Sequence, residues 1–155
     1  MADETLTSAQ RDDLRALSGV IIPPSDEYRV PGADDDKIQA DMVKTLGRDA
    51  REVREALVVL AKLSEGSFAA LDPAQRLRTA LRLRATGASC VATLTRVVMQ
   101  CYYRDDRVLR SLGLPARPPF PGGFEVDQGD WSLLDPVRAR PRIWRDVRPP
   151  KPAAD

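Results

Sequence analysis

The stretch from Asp49 to Leu63, Asp-Ala-Arg-Glu-Val-Arg-Glu-Ala-Leu-Val-Val-Leu-Ala-Lys-Leu, decides the fold. Its centre, Ala56 to Ala61, is apolar nearly all round, the pattern of a helix buried on most sides. A helix of that kind needs other helices around it, and the flanking sequence supplies them. Upstream, Thr7 followed by Gln10 resembles a capping box, in which each side chain satisfies a free amide donor at a helix start. Leu14, Leu17 and Ile21 then recur at helical spacing, which predicts a first helix over 8–20. Pro23-Pro24 stops it. A loop from Ile21 to Ala33 turns at Pro31-Gly32. Asp34, Asp35 and Asp36 follow, where a helix N-terminus favours negative charge. The triplet lacks the spacing of a calcium loop, so capping is the expected role. Ile38, Met42, Val43 and Leu46 mark a second helix, ended by Gly47.

Downstream, Gly66 closes the central helix, with Phe68 and Leu71 expected to pack from the connection. Asp72-Pro73 reads as an N-cap followed by proline at the first helical position. Leu77, Ala80 and Leu81 are the expected inner stripe of that fourth helix. Arg76, Arg78, Arg82 and Arg84 do not share one face and read as a solvated surface. After Gly87, Val91, Leu94, Val98, Cys101 and Tyr102 form the seam of a fifth helix over 88–102. A short sixth helix turns Val108, Leu109 and Leu112 inward and is capped by Gly113. No segment alternates as a strand would, and no internal repeat is present. The fold class read from the chain is all-α: a five- to six-helix bundle over residues 1–113, followed by an irregular arm over 114–155.

That arm holds nine of the thirteen prolines, both tryptophans and two of the three phenylalanines. Proline lacks the amide donor and clashes with the preceding turn, so the arm cannot be a continuous helix. Its large apolar side chains are too many for a solvated linker and must be covered, on this chain or on another. Tryptophan and arginine are the types most enriched at interface hot spots. The expected partner contacts are Phe120, Phe124, Trp131, Leu134, Arg138, Arg140, Ile143 and Trp144, with the loop Pro23 to Tyr28 a weaker candidate.

Composition narrows the chemistry. The chain has 155 residues, a net charge of +1 and no histidine. Without histidine there is no Ser-His-Asp or Cys-His catalysis, no usual zinc or non-haem iron site and no histidine-held haem. Two cysteines are too few for an iron–sulfur cluster. On one helix, Cys90 and Cys101 would lie roughly 16 Å apart. That is beyond the roughly 7 Å a disulfide spans, so both are expected reduced in the core. No Gly-x-Gly-x-x-Gly joins a strand to a helix, so no dinucleotide cradle is expected. Residues 1–8 lack the basic and apolar regions of an export signal, and no apolar run approaches a membrane span. The expectation is a cytoplasmic protein with no cofactor of its own, no catalytic residues and no metal site.

Two segments carry a resemblance. Ile21-Ile22-Pro23-Pro24-Ser25-Asp26 with Pro31-Gly32-Ala33 resembles the first signature of the gluconate 2-dehydrogenase subunit 3 family. Tyr102-Tyr103-Arg104-Asp105-Asp106-Arg107-Val108-Leu109, Leu112-Gly113 and Pro118-Pro119-Phe120-Pro121-Gly122-Gly123 resemble the second. The likeness runs from about Leu6 to Trp144. It implies a non-catalytic small subunit that supports the folding and stability of a large flavoprotein. That large subunit is similar to glucose-methanol-choline oxidoreductases, holds FAD and oxidises a sugar or other alcohol. Many members carry a twin-arginine signal. None is visible here, so a cytoplasmic heterodimer is the simpler expectation.

Two readings from other classes remain beside it. Between Pro136 and Lys151, five arginines and one lysine face only Asp146, a pattern that could grip single-stranded nucleic acid. The neighbouring Glu125, Asp127, Asp130 and Asp135 offset that charge, so no nucleic-acid partner is expected. Carboxylates such as Asp26, Glu27 and Asp34 could form an acid–base pair, but nothing in the sequence puts two of them in one apolar pocket. A stand-alone helical interaction module, with the arm wrapped on its own bundle, is the remaining alternative.

Overall fold

Local capping chemistry sets the helix boundaries in the computed structural model, which describes residues 6–117, 120–123, 127–141 and 143. The chain divides into two compact units, residues 1–117 and 118–155. In the first unit, α1 spans Ser8–Ile21, α2 Asp36–Thr45, α3 Ala50–Leu63, α4 Pro73–Ala85, α5 Ser89–Tyr102 and α6 Asp106–Ser111. Single 3-10 turns at Gly47–Asp49 and Phe68–Ala70 link them. The fold is all-α; among the described residues the one β-type pairing is an isolated bridge between Ser25 and Val30.

The capping box expected at Thr7 forms, and the Asp72 cap proves to be a second one. The Thr7 hydroxyl accepts from the Gln10 amide, and the Gln10 side chain accepts from the Thr7 amide. Asp72 and Gln75 repeat the exchange at α4, with Pro73 in the first turn. Each cap satisfies donors that a helix start leaves unpaired. At the other end of α6, Gly113 takes φ +73°. The Leu114 amide then donates to the Leu109 carbonyl at 2.9 Å, a Schellman-type closure.

The central helix α3 packs on α5, α4 and α1, while α2 packs on α5. Leu14, Leu17, Ile38, Met42, Val53, Leu57, Leu60, Phe68, Leu94 and Val98 are essentially inaccessible. Burying each such side chain contributes about 1.5–3 kcal/mol. Phe68 and Leu71 do pack from the α3–α4 connection, Phe68 fully and Leu71 in part. The Asp13 carboxylate fastens that connection to α1. It accepts from the Ser67 hydroxyl at 3.1 Å and the Ala69 amide at 2.9 Å. Cys90 and Cys101 are buried free thiols.

The inward assignments of Leu77, Leu81 and Leu112 are corrected, and α3 keeps one side open. Leu77 and Leu81 of α4 are more than half exposed, and the inward residues are Thr79 and Leu83, with Ala80 at the boundary. The helix offers two faces with leucine on each. The smaller Thr79 and Ala80 permit close approach to neighbouring helices, and Arg76 donates from that side to the Ala69 carbonyl. In α3, Val58 is exposed, because the neighbours of α3 leave one side open. In α6, Leu112 is exposed; with one and a half turns, α6 buries only Val108 fully and Leu109 in part.

In the second unit, Trp131–Leu134 forms a 3-10 turn that runs directly into a helical turn, α7, at Asp135–Arg138. The arm is therefore not irregular throughout. Asp130 caps the turn, accepting from the Ser132 amide at 3.0 Å and its hydroxyl at 2.6 Å. Pro136 stands in the first turn of α7, where its missing donor costs nothing.

Candidate partner-binding surfaces

The described arm residues present apolar side chains to solvent. Phe120, Trp131, Leu133, Leu134, Val137 and Ile143 are all exposed, Phe120 and Ile143 at 84% and 93%. Trp131, Leu134 and Arg138 sit three and four residues apart on the 131–138 helical segment. The Trp131 indole donates to the Gln128 side chain at 3.4 Å, and Arg138 pairs with Asp135 at 3.0 Å within its own turn. Hydrogen bonds from Ser132 hold the Asp130 carboxyl below the ordinary range. Arg140 is exposed beside them. Phe124 and Trp144 lie outside the described residues. Six of the eight expected contacts thus have a described position, and Trp131, Leu134 and Arg138 lie on the continuous 131–138 helical segment.

A polar seam joins the Tyr102–Leu109 segment to α2 and its N-cap. The Arg107 guanidinium donates to both Asp35 oxygens, at 3.1 and 2.7 Å, and to both Asp105 oxygens, at 2.9 and 3.1 Å. Asp35 also caps α2, accepting from the Lys37 and Ile38 amides. Beside it, Arg104 reaches Asp41, Thr45 and the Cys101 thiol. Hydrogen bonds from Arg107 hold the Asp35 and Asp105 carboxyls below the usual carboxylate range, against the opposing effect of burial. The same bonds push Arg107 upward. Burial raises the Tyr102 phenol. Both carboxylates stay ionised near neutral pH, and the seam works as a clamp between α2 and the start of α6.

The acidic triplet does not converge on one point. Asp35 holds Arg107, Asp36 pairs with Arg15, and the Asp34 side chain lies over Gly19. Among the described residues no group of three or more metal-ligating side chains comes together. The loop from Ile22 to Ala33 closes tightly: the Ala33 amide donates to the Ile22 carbonyl at 2.9 Å. A Cβ on Gly32 would lie 2.3 Å from Asp34 Oδ1 and 2.9 Å from Pro24 Cδ, so only glycine fits. Of the weaker candidate loop, Tyr28 is strongly exposed.

The surface that sequence reasoning missed is an apolar groove in the first unit. Leu77, Ala80 and Leu81 of α4 face Val91 and Thr95 of α5, with Val20 and Ile21 at one end, around a hollow of about 420 Å³. It adjoins a shallower hollow of about 580 Å³ along α5, past Ala92 and Met99 to Gln100. Arg84, Val91 and Thr95 line both. The signal was present in α4, whose leucines occupy two faces: such a helix has an apolar face left over once the core is filled. No helix among the described residues is long and apolar enough to cross a membrane. Comparison with protein-family models, curated proteins and solved structures returned no match for this chain.

Proposed function

We propose that this chain is the non-catalytic small subunit of an FAD-dependent, glucose-methanol-choline type dehydrogenase or oxidase acting on a sugar or other alcohol. FAD and the chemistry belong to the large subunit; the small one stabilises it by covering apolar surface. The observation that carries the reading is the exposure of Trp131, Leu134 and Ile143 in a segment stiffened by proline. Large rigid apolar side chains lose little entropy on binding and gain most from leaving water. Two further features support it: the two signature-like segments, and the absence of histidine from a chain whose buried carboxylates, Asp13 and Asp105, are both held in structural hydrogen bonds.

Affinity between the two purified chains tests the reading. Trp131→Ala is expected to cost about 2 kcal/mol, roughly a thirtyfold weaker dissociation constant. Raising salt from about 50 to about 200 mM should change that constant only a few-fold, whereas nucleic-acid binding would fall steeply. An unchanged constant for Trp131→Ala would remove this residue from the interface.

A further inference from the structure

We propose that the groove between α4 and α5 seats an amphipathic α-helix of the large subunit, one that carries a carboxylate against Arg84. The inference deepens the proposed function and rests on it. The groove is lined by Leu77, Leu81 and Arg84 on α4 and by Val91 and Thr95 on α5, with Val20 and Ile21 of α1 beside them. Rows spaced three and four residues apart are what a third helix packs between, ridge into groove. From Leu77 to Arg84 the α4 wall runs about 10 Å, just under two helical turns.

Charge selects the occupant. The groove lining contains no carboxylate, and its charged groups are Arg84 and Arg96. Arg96 is already paired with Asp49 at 3.0 Å. Arg84, where the two hollows meet, has no ion pair among the described residues. Covering a guanidinium with apolar surface and no counter-charge is costly, so the covering helix must bring an acid. A second copy of this chain does not meet that need. In a two-fold pair the same face meets itself, and that face carries no carboxylate to answer Arg84.

The test uses the purified two-chain complex. Leu81→Glu should weaken it about a hundredfold and Arg84→Glu at least tenfold, while Arg84→Lys stays within about threefold. Both positions are exposed, and circular dichroism spectra checked against wild type verify the fold. A photo-crosslinker replacing Leu77 reads the occupant without depending on affinity. The expected product is a large-subunit peptide with apolar residues three and four apart and an aspartate or glutamate among them. Wild-type affinity in both glutamate variants, or a crosslink to another copy of this chain or to a large-subunit peptide without an acid, overturns the groove proposal and leaves the subunit reading standing. Failure of the wild-type chains to associate at all overturns both.

Discussion

Phe68→Ala is expected to destabilise the helical unit by about 4 kcal/mol, the largest single effect of any substitution considered. The side chain is wholly inaccessible and lies on the 3-10 turn between α3 and α4, a turn that packs on α1. Truncation removes the transfer energy of the ring and leaves a cavity. Asp13 pins the turn on either side of Phe68 through Ser67 and Ala69, which keeps the walls from collapsing into the cavity. For a unit of this size the melting temperature should fall by roughly 16 °C, read from helical ellipticity. Leu112→Ala, a leucine removed from an exposed position, should stay within about 0.5 kcal/mol of wild type. A drop of only a few degrees for Phe68→Ala would show that the turn is not part of the core.

Arg107→Ala is the second large effect, expected at about 2–3 kcal/mol near neutral pH. Removing one member of a buried ion pair costs about 3–5 kcal/mol, and the partial exposure of Arg107 reduces that. The damage falls on Asp105, whose side chain is 4% exposed and would be left without its guanidinium. The pH dependence follows from the direction of the shifts. Asp35 and Asp105 are depressed in the folded state, so their contribution is present above the unfolded carboxylate range and lost as pH falls through their folded values. Wild type should therefore outstrip the variant most near pH 7, and the gap should close below about pH 4. Urea titrations at several pH values measure it. Arg107→Lys should recover only part of the loss, since one ammonium cannot bond two carboxylates bidentately. A gap that widens in acid would contradict the clamp.

The sequence made local chemistry legible and long-range partnership mostly not. The capping boxes at Thr7 and Asp72 are encoded within four residues, and the structure forms both. The α5 seam was readable because Val91, Leu94, Val98, Cys101 and Tyr102 lie on one face, and all are buried. The α4 face was misread because periodicity shows that leucines share a side, not which side meets the core. Arg107 and Asp35 are 72 residues apart, and no local pattern predicts that they bond. In the arm, proline density hid the 131–138 turn, although Asp130 and Pro136 are ordinary helix-start residues. Composition showed that the arm's large apolar side chains need a cover but not where it comes from; Trp131 is 60% exposed.

Co-expression with the proposed flavoprotein partner, followed by size exclusion monitored at protein and flavin wavelengths, is the most direct measurement. If this chain works by covering another protein, the two chains should elute together as one yellow species. The flavoprotein expressed alone should then be aggregated or depleted of FAD, and this chain alone colourless. A flavoprotein equally soluble, flavin-loaded and active without this chain, with the chain eluting separately as a monomer, would contradict it.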